Sequence, residues 1–323
     1  MTHAPATTEI ALLGDGALVL RVEPAVRAAV LPWIPRDRSF RSESIAPRAT
    51  LSVEQGGIDG SAAQSAFTNR QPTLMLGGVS ARVESDDVWI HGPARLSGRA
   101  NLAQCEARIT IDSAAMPPAP LAALHGALTL AAALLLGRIG RALVHAAAVV
   151  DSESRGWLLV GDTHSGKTTT CATLVAAGWR YIADDQVVLR DSVGGLEAEG
   201  WPREAHLDRG WSSGSVTRTR EAADLSSIRA DARQDRVRVH GAWFTSVSAD
   251  GPTTARRMAP ADALGRLIRQ SPWLFADSAT AASSLALLSR VAEMPCAALS
   301  LGRDSYANGE RLVRCLESDI GIG

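Results

Sequence analysis

An eight-residue run, Gly161 through Thr168, has the spacing GxxxxGK[ST], with Asp162, Thr163, His164 and Ser165 between the glycines and Lys167 after Gly166. Residue types in that pattern bind phosphate. Glycines let the chain wrap so that successive backbone N–H groups converge on phosphate oxygens, and a following helix adds the positive end of its dipole. Lys167 supplies a compact charge for the β- and γ-phosphates, and the Thr168 hydroxyl suits Mg²⁺. Sixteen residues beyond Thr168 come two adjacent carboxylates, Asp184 and Asp185. One can hold Mg²⁺ directly or through water while the other takes the proton of an attacking hydroxyl, the division of labour that phosphoryl transfer requires.

Lys167 is the only lysine. The chain has 323 residues with 33 basic ones, so the remaining 32 are arginines. A guanidinium is too broad and planar for a concave phosphate loop, and the one lysine falls where arginine does not fit. With 34 acidic residues the net charge is −1, which excludes attachment to nucleic acid or anionic lipid by bulk positive charge. A 46% hydrophobic content predicts a buried core. Four scattered cysteines, Cys105, Cys171, Cys296 and Cys315, form no CxxC pair, so reduced thiols and a cytoplasmic protein are expected. The N-terminal MTHAPATTEIALLGDG lacks the basic and apolar regions of a signal peptide. The apolar run Leu121 to Leu136 is too short for a bilayer and predicts a buried helix, with His125 a core residue on it.

The elements that must position these groups follow from periodicity. Up to about residue 115, ALVLRV, ATLSVEQ, TLMLGGVSARVE, DVWIHG and EARITID alternate like strands, so residues 1–116 are expected to be a smaller β-rich region. MPPAP, Met116 to Pro120, marks the expected boundary with a second domain over 117–323. There, RALVHAAAVV (Arg141 to Val150) predicts one buried strand carrying His145, and WLLV a second that leads into the loop. TTCATLVAAG predicts the helix after it, with Gly178 its end. Trp179 to Ala183 predicts a strand whose C-terminal end presents Asp184 and Asp185 to the crevice where the loop opens, in a parallel sheet. Residues 210–236, rich in Ser, Arg and Asp, predict a long solvated excursion, either a lid or an insertion. A strand pair in RVRVHGAWFTSV, helices over Pro260 to Arg269 and Thr280 to Ala292, a strand CAALSL and a helix over Asn308 to Glu317 complete the chain. Within the loop, Asp162 braces the turn or touches substrate, and His164 approaches a phosphate or faces solvent.

LVHAAAVV, WLLVGDTHSGKTTT and GWRYIADDQVVL, taken in order and spacing, resemble the catalytic domain of HPr kinase/phosphorylase and its related serine kinases, a core shared with phosphoenolpyruvate carboxykinase. The resemblance covers residues 121–190 well and 190–323 loosely. It implies an α/β fold with a phosphate-loop kinase domain, ATP and Mg²⁺ as cofactors, and a protein or peptide acceptor bearing a Ser or Thr hydroxyl, with no nucleic acid or membrane partner. It implies loop contacts to nucleotide from Gly161 through Thr169, metal held by Thr168 and Asp185, and catalytic roles for Lys167, Asp184, Asp185 and His145. The two aspartates are interchangeable as base and metal neighbour on sequence alone, and His145 would orient the base. Self-association is also implied. Thr163-His164 stand where HPr kinase has Ser-Gly, and no counterpart of its later glycine-rich segment is present, so HPr itself and phosphorolysis are not implied. Carboxykinase chemistry needs a lysine outside the loop, which this chain lacks. Arg203, Arg256 and Arg257 are candidate helpers for the migrating phosphoryl. The rival readings are a small-molecule kinase of the same fold and a nucleotide-binding regulatory protein without transfer activity.

Overall fold

A computed structural model describes residues 7–30, 47–56, 67, 71–112, 120–201, 205–208, 220–223, 225–248, 251–307 and 309–319. The chain is a mixed α/β protein that divides into two compact units, residues 1–140 with 272–283, and residues 141–271 with 284–323.

The first unit is built on eight strands: β1 (Thr8–Ala11), β2 (Leu18–Val22), β3 (Ala49–Gln55), β4 (Leu74–Leu76), β5 (Val79–Glu84), β6 (Asp87–His91), β7 (Ser97–Asn101) and β8 (Glu106–Ile111). They lie in the order β1-β2-β3-β8-β7-β6-β5-β4. Alternation decides which face is covered. Leu18, Leu20 and Val22 of β2 and Ala49, Leu51 and Val53 of β3 are buried, while the residues between them are not. Helix α1 (Pro120–Arg138) packs on β3, β4, β5 and β8. Its residues Ala127 to Leu136 are all buried, as a helix apolar on every side must be. Gly126 permits the close approach, since a Cβ there would stand 2.6 Å from the Leu76 carbonyl oxygen.

These contacts explain why the division falls after α1, at Gly140, and not at the expected Met116–Pro120 boundary, of which residues 116–119 lie outside the described ones. The helix completes the core of the first sheet. Residues 272–283 join the same unit through Asp277, whose carboxylate receives Arg138 Nε at 2.5 Å and Nη2 at 3.0 Å. Hydrogen bonding to Asp277, against the opposing effect of burial, raises the Arg138 guanidinium pKa further. Among the described residues, no helix is long and apolar enough to cross a membrane.

In the second unit the strands are β9 (Arg141–Val144), β10 (Ala146–Val150), β11 (Gly156–Val160), β12 (Arg180–Ala183), β13 (Val187–Ser192), β14 (Gly195–Gly200), β15 (Ala205–Asp208), β16 (Arg220–Ala223), β17 (Arg236–Val247), β18 (Thr254–Arg257) and β19 (Cys296–Leu301). The helices are α2 (Lys167–Ala176), α3 (Pro260–Arg269), α4 (Ser278–Ala292), which begins in the first unit, α5 (Arg303–Ala307) and α6 (Gly309–Asp319). Nine strands form one sheet, in the order β12-β10-β11-β17-β14-β13-β9, with β19 also on β17 and β18 on β19. Every residue of β10 and β11 is buried, which accounts for their unbroken apolar sequences.

Three expectations change here. RALVHAAAVV is two strands, because His145 leaves the ladder and gives its backbone N–H to the Gln270 carbonyl at 2.9 Å. RVRVHGAWFTSV is one strand, β17, antiparallel to β14 in its first half and parallel to β11 and β19 in its second. The 210–236 segment is not solvated throughout. Residues 205–208 and 220–223 pair as a hairpin, and Leu225 and Ala232 are buried. Backbone bonds Tyr181 N–H to Ala232 O and Gln234 N–H to Tyr181 O tie it to β12. Residues 210–219 and 224 of that segment lie outside the described ones.

The core beneath the loop is aromatic. Trp157 stacks on Trp243 with ring centroids 4.5 Å apart, and Trp179 lies 5.9 Å from Trp243. Cys171, Leu174 and Val175 of α2 and Leu312 and Leu316 of α6 close over them. The three threonines at the start of α2 are weak helix formers, so this buried face, and not propensity, sustains the helix. Its end is a Schellman turn. Gly178 has φ +102, its N–H goes to the Val175 carbonyl, and the Trp179 N–H goes to the Leu174 carbonyl.

Candidate functional site

The loop between β11 and α2 is set by steric rules its sequence satisfies. A Cβ at Gly161 would meet Ser165 Oγ at 2.5 Å and the Thr245 carbonyl oxygen at 2.8 Å, so only glycine fits. His164 and Gly166 both have left-handed backbones, φ +67 and +92. Ser165 and Thr245 share a hydroxyl–hydroxyl bond of 2.9 Å, and the Ser165 N–H reaches the Asp162 carbonyl at 3.1 Å. Asp162 accepts 2.6 Å from Gln270 Nε2, which braces the turn. His164 and Thr163 are exposed, while Thr168 and Thr169 are half-buried. Helix α2 begins at Lys167 with Gly166 before it, which has no side chain to cap the first N–H groups.

Lys167 is buried, with 6% of its surface exposed. Its ammonium donates to the carbonyls of Gly161 at 2.6 Å and Asp162 at 3.0 Å and stands 3.1 Å from His145 Nε2. His145 Nδ1 is 3.5 Å from Asp185 Oδ1. The tautomer that serves both neighbours carries its proton on Nδ1, leaving Nε2 to accept from the ammonium. Cation, imidazole and carboxylate therefore form one chain of contacts. Asp184 is buried beside Cys171. Burial first, and the Asp184 charge second, push the Cys171 thiol pKa well up, which keeps it protonated.

Topology brings these groups together. β10 is antiparallel to both β11 and β12, so the latter two run the same way, and the loop and the aspartate pair both leave from C-terminal ends. The start of β10, with His145 just before it, lies at that same end. The local sheet is antiparallel where a parallel one was expected, yet the crevice is the same. Two chain links cross one seam side by side. His145 joins β9 to β10, and residues 184–186 join β12 to β13. β10 pairs with β12 through Ala148 and Ala183, and β9 pairs with β13 through Val144 and Val187. These registers leave His145 opposite Asp185.

Of the helper arginines, Arg256 and Arg257 are exposed on β18, and Arg203 lies outside the described residues. Sequence reasoning missed Gln270, Thr245, Arg266 and Arg269. The last two help line a cavity of about 430 Å³ formed by Val160 to Ser165, Phe244 to Val247 and the end of α3. Their three-residue spacing on an amphipathic helix is visible in the sequence, but not which strand end that helix abuts. Among the described residues, no group of three His, Cys, Asp or Glu side chains is arranged to hold a metal.

No protein-family model and no curated protein matches this chain. Among solved structures it is similar to the HPr(Ser) kinase/phosphatase from Coxiella burnetii, with TM-score 0.29 and 13% identity, covering 50% of this chain and 85% of that one. That is a weak and distant likeness, and it carries no argument about activity.

Proposed function

We propose that the protein is an ATP- and Mg²⁺-dependent kinase that transfers the γ-phosphoryl group to a serine-type hydroxyl on a protein or peptide. The observation that carries this reading is the contact chain from Lys167 through His145 to Asp185, at the strand ends where a glycine loop opens. A surface loop of chance composition has no reason to bury a lone lysine against a histidine and a carboxylate.

The residues present fit the groups the reading needs. The cradle that Gly161 keeps free of a Cβ and the uncapped N-terminus of α2 suit phosphate oxygens. Mg²⁺ keeps several waters and takes phosphate oxygens, so one hydroxyl and one carboxylate, Thr168 and Asp185, suffice from the protein. Bound Mg²⁺ supplies neutralisation of the charge on the transferring group. The loop amides and Lys167 bind and orient the phosphates. One of Asp184 and Asp185 accepts the proton of the attacking hydroxyl, and His145 fixes the orientation of Asp185.

Incubating the full chain with γ-labelled ATP and the polypeptides encoded beside its gene tests the reading. Label is expected on an acceptor with the wild type and not with Lys167→Met, whose fold is checked by circular dichroism. Near-normal transfer by Lys167→Met would sink the mechanism. Tight nucleotide binding by the wild type with no labelled acceptor supports the regulatory rival instead.

A further inference from the structure

The cavity beside the loop does not include His145, Lys167, Thr168, Asp184 or Asp185 among its lining residues. It shares Gly161 and Asp162 with the lysine cluster, but its own charges come from α3. Arg266 and Arg269, three positions apart in the last turn, lie on one helix face. Among the described residues neither guanidinium makes an ion pair, whereas Arg138, Arg155, Arg190 and Arg290 all pair with carboxylates. The only carboxylate lining the cavity, Asp162, already accepts from Gln270.

The occupant that suits this lining is an anion. A nucleobase would need an open apolar or aromatic slot. Phe244, the one phenyl ring in the lining, is 1% exposed, and Arg266 sits over it with Cζ 5.9 Å from the ring centre, while the His164 imidazole is exposed on the loop and faces no second ring in the lining. Two guanidiniums and the hydroxyls of Thr163 and Ser246 are the donors of a carboxylate or phosphate site, beside the Ser165 and Thr245 hydroxyls, which bond each other. The volume lies in the range of small-ligand pockets, which run from about 300 to 1,000 Å³.

We propose that this cavity is a second anion subsite, beside the loop, that holds a carboxylate or phosphate group of the phosphoryl acceptor. The acceptor is then an acidic molecule, an assignment that rests on the kinase reading. The subsite itself does not need that reading, because its guanidiniums, Arg266 and Arg269, lie outside the lysine cluster.

The probe is inorganic phosphate, titrated calorimetrically into the full chain with and without a saturating non-hydrolysable ATP analogue and Mg²⁺. With the analogue and Mg²⁺ filling the loop, phosphate is expected still to bind the wild type. Affinity should fall about tenfold for each guanidinium removed, in Arg269→Ala and then Arg266→Ala/Arg269→Ala, the size of one charge-assisted hydrogen bond. Because Arg266 packs on Phe244, Arg269→Glu serves as the second variant, its exposed side chain leaving the fold intact by circular dichroism.

Three results overturn the proposal. Phosphate failing to bind the wild type at tens of millimolar removes the subsite. Displacement of phosphate by the analogue assigns the arginines to the nucleotide. Unchanged binding by Arg269→Glu means the arginines only complement the α3 dipole. If the analogue does not bind while phosphate binding remains sensitive to Arg269→Glu, the kinase reading fails and the acceptor assignment with it, but the anion subsite stands.

Discussion

The first sheet and the buried strands of the second treat charge in opposite ways. On the first, ionisable side chains stand on the open face and pair across strands: Arg21 with Glu9 at 2.8 Å, Arg99 with Asp87 at 3.1 Å, Arg108 with Glu54 at 3.0 Å. Most of these groups are well exposed, and such pairs add little stability. In the second sheet β10 and β11 are buried on both faces, and beside them polar groups collect where strands end or turn: Lys167, Asp184 and Asp151 are buried there, whereas β13 and β14 carry the cross-strand pair Arg190 with Glu197 at 2.7 Å. A sheet with one solvated face can place charge anywhere along that face. Strands without one, such as β10 and β11, can place it only at their ends, where backbone leaves the ladder and desolvated charges find partners. Concentrated, partnered, buried charge marks a site where chemistry is possible, and alternation alone does not.

Breaking that contrast should produce effects graded by burial. The largest is expected at Asp184. Asp184→Asn should lower phosphoryl transfer by more than about a thousandfold, measured with labelled ATP, while the thermal midpoint changes little. A fold-intact variant with full activity would remove Asp184 from the chemistry.

Next comes Asp277, among the described residues the one buried acid of the first unit with a bidentate partner. Asp277→Ala leaves Arg138 with only Asp86, at 2.8 Å, and should cost about 3 kcal/mol in denaturant unfolding. If the cost is under 1 kcal/mol, the first unit is insensitive to charge even where it buries it.

Asp151 gives a smaller effect with a pH signature. It turns β10 into β11, accepting backbone N–H bonds from Glu153 and Arg155, the Arg155 guanidinium at 2.7 Å and Trp157 Nε1 at 2.9 Å. Burial alone would raise its pKa. The bonds from Trp157 and Arg155 outweigh that, and the net shift is downward. Its contribution is therefore complete above the ordinary carboxylate range and is lost as pH falls through the depressed folded value. Asp151→Asn should cost about 2 kcal/mol at pH 7, and the gap from wild type should close as pH drops below about 4. A gap that widens on acidification would reverse the assignment.

The smallest effect is expected for Arg99→Ala on the open face, about 0.5 kcal/mol and diminished by salt.

Much of the fold was legible because it is decided locally. The strands β2, β3, β5, β6 and β8 lie where alternation placed them, and α3 spans the residues its pattern marked. Strands β1 and β7 were missed, the first too short and the second, SGRAN, too polar to carry a period-two signal. The Gly178 helix end was readable because a left-handed C-cap is a property of glycine itself. The break at His145 was not, because LVHAAAVV reads as continuous strand and only the Gln270 carbonyl takes that N–H out of the ladder.

By itself the sequence determined the glycine loop, the lone lysine within it, the aspartate pair and the strand–loop–helix order. These depend on steric and hydrogen-bonding rules that act over a few residues. The tertiary structure decided which groups meet. It set His145 between Lys167 and Asp185 through two strand registers. It also brought α3, with Gln270 reaching Asp162 across 108 residues of chain, against the loop. Such contacts depend on the way the sheet returns on itself, and no local pattern carries that information.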